Sequence, residues 1–215
     1  MSNPSIVWSN DVDIEALKEF YKPDYIAPKC VIGLDRDGVI NVDIGDYVYK
    51  VEDWEFEEGS LDAIVKIRKL GHKIVIITNQ GGIAKGLYTE QDVDKVHEHM
   101  FQKLGEAGCP SIDGLYYSAC SHKSDMYAKP NAGMFKRAEK EIPHVKFKHG
   151  YYAGDRLRDL KAAMKVGARP VLIRTGHGIE TEELINSRFS YKKIAKAMLA
   201  FDNLAAFADY LETAH

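Results

Sequence analysis

The chain has 215 residues, 45% of them hydrophobic, and a net charge of −3, which suits one good-sized domain and gives no bulk attraction for nucleic acid or an anionic membrane. No run approaches the roughly 18 apolar residues of a membrane helix, and the N-terminus has no charged-then-apolar leader pattern, so a cytoplasmic setting without a membrane partner is expected. Three cysteines, Cys30, Cys109 and Cys120, are odd in number and unpaired in spacing, which fits a reducing compartment rather than a disulfide framework.

In chain order, residues 1–29 read as an N-terminal extension, with a short helix over Asp11–Tyr21 and a linker from Pro23 to Pro28; the domain runs from 30 to 215. Its first element is a short apolar strand from Val31 that ends in Asp35-Arg36-Asp37-Gly38. Residues two apart in an extended chain point the same way, so Asp35 and Asp37 can share one site. Two carboxylates that close repel unless a cation lies between them, and oxygen ligands suit Mg²⁺. One acid can attack phosphorus while the other handles the leaving oxygen's proton. Taken alone, the same string also suits a strand ending in a solvated acidic turn.

Val42–Glu58 is too irregular for a long helix and reads as a loop or small flap. Ser60–Leu70 has the apolar spacing of an amphipathic helix, stopped by Gly71. A second strand, Lys73–Ile77, ends in Thr78-Asn79-Gln80-Gly81-Gly82, where hydroxyl, amide and glycine backbone donors suit a phosphate as well as ordinary turn chemistry. Thr89–Ala107 reads as a helix with Thr89 as N-cap, and Gly114–Ser118 as a third strand. The loop Ala119–Ala128 holds Cys120 and His122; two ligands are insufficient for a structural zinc site, which wants four. Lys129-Pro130 leads into a helix over Asn131–Ile142, and a lysine there can counter a phosphate charge or simply be solvated. A fourth strand, Lys148–Ala153, ends in Gly154-Asp155-Arg156-Leu157-Arg158-Asp159. Asp155 at the strand tip is placed for a metal, whereas Asp159 suits a helix first turn. A helix over Leu160–Val166, a fifth strand over Pro170–Arg174, an exit loop Thr175–Gly178 and helices over Glu180–Asn186, Tyr191–Ala200 and Leu204–Glu212 complete the chain.

Strands alternating with helices predict an α/β fold, a central parallel sheet with helices on both faces. In such sheets ligands bind beyond the carboxyl ends of the strands, where Asp35/Asp37, Thr78/Asn79, Lys129 and Asp155/Asp159 all fall.

Asp35-Arg36-Asp37-Gly38, Thr78, Lys129-Pro130 and Gly154-Asp155-Arg156-x-x-Asp159 resemble, in order, the four motifs of the haloacid dehalogenase superfamily. Leu34–Asn41, Thr78–Gly86 and Arg174-Thr175-Gly176 are most similar to the D-glycero-D-manno-heptose 1,7-bisphosphate 7-phosphatases and the related histidinol-phosphatases. The likeness runs from Val31 to about Gly178 and returns faintly at Phe201–Leu204. It implies a Rossmann-like fold with only small cap insertions and a Mg²⁺-dependent phosphatase. The substrate implied is a small phosphorylated metabolite such as a heptose bisphosphate. On the matching positions, Asp35 is the expected nucleophile, forming an aspartyl-phosphate, and Asp37 the acid and base. By the same resemblance Thr78 and Lys129 are expected to hold the transferring phosphoryl group. The resemblance implies a Mg²⁺ held by Asp35, the Asp37 backbone carbonyl and Asp155. Asp43, Asp46, Tyr47, Asn79, Gln80, Gly81 and Arg156 are the expected substrate contacts.

Two departures bear on substrate. The heptose phosphatases carry a zinc loop of three cysteines and a histidine before Arg-Lys-Pro; here the loop is short and Ala128 stands where that arginine would be. The short loop with Lys129-Pro130-x-x-Gly133-Met134 also resembles the 3′-phosphatase domain of polynucleotide kinases. That makes a nucleic-acid 3′-phosphate end the alternative substrate, with histidinol phosphate or non-catalytic binding of a phosphometabolite as further alternatives.

Overall fold

Residues 30–109, 111–120, 122 and 124–213 are described by the computed structural model; the extension over 1–29 and its expected helix lie outside them. Six parallel strands form one sheet: β1 (Val31–Leu34), β2 (Lys73–Asn79), β3 (Gly114–Ser118), β4 (Tyr151–Gly154), β5 (Arg169–Ile173) and β6 (Leu199–Phe201), in the order β3-β2-β1-β4-β5-β6. The helices between them are α1 (Ser60–Lys69), α2 (Glu90–Glu106), α3 (Gly133–Glu141), α4 (Leu157–Val166), α5 (Gly178–Ser187), α6 (Lys192–Ala197) and α7 (Leu204–Thr213).

Alternation along the strands builds a core on each face. Ile32, Leu34, Ile74 and Ile76 point into one layer with Val96, Met100 and Leu104 of α2 and Phe207 and Leu211 of α7. Val31, Val75 and Ile77 point into the other with Met134, Phe135 and Ala138 of α3 and Ala162 and Ala163 of α4. Thr89 caps α2 reciprocally: Asp92 N donates to Thr89 Oγ1 (3.2 Å) and Thr89 N to Asp92 Oδ2 (3.0 Å).

The expected helix over 191–200 is corrected. α6 stops at Ala197, and Leu199–Phe201 pairs with β5 as a sixth strand. Leu199 and Phe201 pack on the core shared by α2 and α7, whereas Met198 and Ala200 pack on the opposite cluster of Leu160, Leu172, Ile185 and Ile194. An apolar run divided between two cores needs a period of two, which a helix cannot supply. The expected strand over 148–153 begins later, at Tyr151, because His149 turns the chain with φ 69° just before it.

The strand order reverses between β1 and β4, so a crevice opens beyond their carboxyl ends. Beside it, residues 42–58 form a small flap. Val42 N donates to Glu55 O (2.9 Å) and Glu57 N to Ile40 O (3.0 Å), closing the flap against the exit of β1. Among the described residues no helix is long and apolar enough to cross a membrane.

Candidate active site

At the tip of β1, Asp35 stays in the sheet ladder, its N–H donating to Ala153 O at 2.9 Å. Its carboxylate is therefore fixed by backbone rather than by a loop. Oδ1 accepts from Arg36 N (2.8 Å), and Oδ2 lies 2.7 Å from Lys129 Nζ. Lys129 arrives from a loop, and Asn79 clasps its backbone from both sides: Lys129 N donates to Asn79 Oδ1 (2.9 Å) and Asn79 Nδ2 donates to Lys129 O (3.2 Å). The buried ammonium meets Asp35, Asp159 Oδ1 (2.8 Å), Tyr152 Oη (2.9 Å) and Ile77 O (3.0 Å). Tyr152 gives its own proton to Ile77 O (2.6 Å), leaving its oxygen to accept from the lysine.

At the tip of β4 stand two more acids. Asp159, in the first turn of α4, accepts from Arg156 N (3.0 Å) while its other oxygen faces Lys129. Asp155 Oδ2 accepts from His177 N (2.9 Å), whereas Asp155 Oδ1 is buried with no hydrogen-bond partner. Asp35, Asp155 and Asp159 each offer an oxygen within 4.8 Å of the others. Burial, then the negative charges of Asp159 and Asp35, push the Asp155 carboxyl up to about 8. Burial also raises Asp35, against the opposing charge of Lys129. For Asp159 burial is outweighed by Lys129 and Arg158, and the carboxyl is held below its ordinary value. Three buried carboxylates, one with an orphaned oxygen, fit a hard divalent cation such as Mg²⁺. Asp159 joins this group in addition to its helix-turn role. Gly38 and Gly176 leave room for Asp155, since a Cβ on either would meet its Oδ2 at 2.5 and 2.6 Å.

Asp37 sits on the solvent side of the crevice, its side chain 28% exposed. Thr78, at the end of β2, is buried beside Gln80, whose Nε2 donates both to Thr78 Oγ1 (3.1 Å) and to Asp37 Oδ2 (3.0 Å). Gly81 is buried in the turn that follows. Of the expected substrate contacts, Asn79 and Gln80 thus spend their amides inside the site, on Lys129 and Asp37. Asp43 on the flap faces Arg156 Nη2 (2.8 Å) and His177 Nε2 (3.4 Å). Burial tends to raise Asp43, but the Gly45 N–H and the Arg156 guanidinium hold it below its usual range. Tyr47 Oη accepts from Lys85 Nζ (2.7 Å), while Asp46 is exposed and caps the Tyr47 N–H (2.7 Å).

Several participants carry no signal in the sequence. Arg36 is fully buried, and its guanidinium grips Asp37 Oδ1 (Nη2 2.7 Å), Val48 O (2.8 Å) and His97 Nε2 (3.3 Å). Burial and then the Arg36 charge hold His97 well below its usual value, so its neutral ring can accept from Arg36. Tyr88 donates to Gln80 Oε1 at 3.1 Å. Arg36 stands between two acids, so a charged side chain that packs inward there meets one of them, but its sequence position alone does not show that it packs inward.

Residues 31–167 match a family model described as polynucleotide kinase 3 phosphatase. The D-glycero-beta-D-manno-heptose-1,7-bisphosphate 7-phosphatase of Photorhabdus laumondii is 34% identical over 183 residues, covering 77% of this chain and 94% of that protein. The enzyme of the same name from Pseudomonas putida is 37% identical over 178 residues, covering 81% and 95%. Among solved structures, the D,D-heptose 1,7-bisphosphate phosphatase of B. bronchiseptica, complexed with magnesium and phosphate, superposes with a TM-score of 0.77 at 28% identity, covering 86% of this chain and 99% of that one. The catalytic-type crevice, the family match and these relatives agree, and the chain belongs to the haloacid dehalogenase superfamily of phosphatases, in the family that the polynucleotide kinase 3 phosphatase model describes.

Proposed function

We propose that this phosphatase hydrolyses a phosphate monoester of a small sugar bisphosphate of the heptose 1,7-bisphosphate type, with Mg²⁺, through an aspartyl-phosphate on Asp35. The observation that carries the reading is the convergence of Asp35, Asp155, Asp159 and Lys129 in one buried cluster at the strand-order reversal. The names of the relatives supply the substrate class. Asp35, Asp155 and the Asp37 backbone carbonyl would hold the cation, with Asp159 beside them. When bound, it supplies positive charge against the phosphoryl oxygens.

The residues of the chain do the rest. An Asp35 oxygen attacks phosphorus as the ester P–O bond breaks, and Asp37 gives its proton to the departing alkoxide. Asp37 then takes a proton from the water that attacks the aspartyl-phosphate, which frees Asp35 and releases inorganic phosphate. Lys129 and Thr78 offset the charge on the transferring group. Arg156, on the flap side of the crevice, contacts the remainder of the substrate together with the loop from Asp43 to Tyr47. The buried Ala128 carries no charge, so Arg156 takes over recognition of the second phosphate. A cytoplasmic setting belongs to this reading.

The test is phosphate release with Mg²⁺ from heptose 1,7-bisphosphate, histidinol phosphate and an oligonucleotide with a 3′-phosphate, against Asp35→Asn. The bisphosphate is expected to be turned over most efficiently, and Asp35→Asn to be inactive. Preference for the oligonucleotide would replace the sugar reading with end processing, which the description of the family model favours. Full activity of Asp35→Asn would overturn the mechanism.

A further inference from the structure

The two oxygens of Asp37 meet different surroundings. Oδ1 takes three donors: Arg36 Nε at 3.1 Å, Arg36 Nη2 at 2.7 Å and Asn41 Nδ2 at 3.1 Å. Oδ2 takes one, Gln80 Nε2 at 3.0 Å. An oxygen that already receives three donors has no lone pair left for a proton, so proton exchange falls to Oδ2.

What Oδ2 can do with that proton depends on which end of the Gln80 amide faces it. With Nε2 inward, the amide occupies one lone pair as a donor, and a proton on the other is left pointing into the crevice. With Oε1 inward, the amide would itself accept the Asp37 proton and divert it from the leaving oxygen. The amide is symmetric enough in shape to sit either way, so something else has to choose.

Tyr88 makes that choice. Its hydroxyl donates to Gln80 Oε1 at 3.1 Å. The ring is not free to swing away: it is 6% exposed, stacks on Tyr49 at 4.9 Å and meets Tyr47 edge-on at 5.4 Å. A Cβ at position 82 would overlap that ring, so the turn after β2 accepts it only because Gly82 is a glycine.

We propose that Tyr88 is a positioning residue of the reaction, holding Gln80 Oε1 so that Gln80 Nε2 faces Asp37 and the Asp37 Oδ2 proton is reserved for the leaving oxygen. The inference rests on the reading of Asp37 as the proton-transfer group. It adds that Gln80, expected as a substrate contact, acts through Asp37, and that the flap tyrosines support that geometry.

The experiment uses the full chain with Mg²⁺ and a series of phosphate monoesters from p-nitrophenyl phosphate, whose leaving group departs without a proton, through phenyl phosphate to heptose 1,7-bisphosphate and glycerol phosphate. Wild type, Tyr88→Phe, Gln80→Met and the double variant are compared, with Asp37→Asn as the reference for loss of the acid. Tyr88→Phe keeps the ring stacks, and a thermal melt checks its fold. The expected result is that kcat for the alkyl esters falls about tenfold more than kcat for p-nitrophenyl phosphate, a fraction of a general acid's full contribution, with KM little changed. In the Gln80→Met background, adding Tyr88→Phe is expected to do nothing further. If Asp37→Asn shows the leaving-group dependence but Tyr88→Phe lowers every ester equally, or none, Tyr88 is merely structural and the proposal fails. If Asp37→Asn itself shows no leaving-group dependence, the proton-transfer reading fails and takes this proposal with it.

Discussion

Lys129 and Asp35 form an ion pair that water does not reach: Nζ lies 2.7 Å from Oδ2, with side chains 0% and 4% exposed. The same ammonium also faces Asp159 at 2.8 Å. Removing one partner of a buried pair leaves an uncompensated charge, which is worth about 3–5 kcal/mol. Lys129→Met is therefore expected to lower unfolding free energy by about that amount and to reduce phosphate release by roughly a hundredfold or more. Denaturant unfolding and a Mg²⁺-dependent turnover assay check both. An unchanged denaturation midpoint would show that Asp35 and Asp159 are solvated, contrary to their burial.

A pH dependence follows from Asp155. Its carboxyl titrates near 3.8 in the ordinary state and is pushed up to about 8 in the fold, by burial first and then by Asp159 and Asp35. Between those values the folded protein holds a proton that the unfolded chain has lost, so the cation-free fold loses stability as pH rises. Asp35, also raised, acts in the same direction, whereas Asp159, held low, contributes stability that disappears only in acid. With EDTA, the melting temperature is expected to decline as pH is raised from about 5 to about 8. Mg²⁺ binding favours the ionised carboxylate, so its stabilising shift is expected to be largest at the alkaline end. A melting temperature that climbs across this range in EDTA would contradict the assignment of Asp155 to a buried acidic cluster.

The fold was legible wherever one periodicity dominated. Val31–Leu34, Lys73–Ile77 and Gly114–Ser118 are short apolar runs with one available structure, and Thr89 announces its helix by capping. Leu199–Phe201 was not legible, because five apolar residues in a row, from Ala197 to Phe201, suit a helix equally well until two cores are present to divide them. In the site, Asp35, Asp37, Lys129 and Asp155 could be placed because strand ends collect ligands. The partners that orient them could not. Tyr88, Tyr152 and His97 are ordinary core residues by composition, and their polar atoms acquire roles only from three-dimensional neighbours. Gln80 was placed in the site, but its link to Asp37 depends on a side-chain direction that sequence does not encode.

Gly38 offers a direct test of the crevice. Its φ is +79°, which favours glycine, and a Cβ there would lie 2.5 Å from Asp155 Oδ2 and 3.2 Å from the Gly176 Cα. The two backbones are held together, since Thr175 Oγ1 ties the loops by donating to Gly38 O at 2.7 Å, so the Asp155 carboxylate has to give way. Gly38→Ala is expected to destabilise by about 1–3 kcal/mol, the scale of a left-handed strain, and to displace Asp155 from the cation. Isothermal titration with Mg²⁺ should then show affinity lowered by roughly tenfold or more, as for disturbance of a metal site's supporting shell. Wild-type Mg²⁺ affinity in a folded Gly38→Ala protein would separate Asp155 from cation binding.

Arg156 and Asp43 link the strand-end loop to the flap, and their pairing sets up the last prediction. Nη2 lies 2.8 Å from Oδ2, with side chains 35% and 10% exposed. With the guanidinium a third exposed, the pair adds little stability, about 1 kcal/mol or less, and its place at the crevice points to recognition. A planar guanidinium suits a phosphate, and in the free enzyme Asp43 keeps it extended toward the flap. Arg156→Ala is expected to raise KM for heptose 1,7-bisphosphate roughly tenfold, the scale of one charge-assisted hydrogen bond, with kcat nearly unchanged. A sugar monophosphate lacking the second phosphate should be affected much less. Asp43→Asn removes the competing negative charge and is expected to move KM for the bisphosphate the other way. An equal loss on both substrates would assign Arg156 to the transferring phosphoryl group and leave the second phosphate to another side chain.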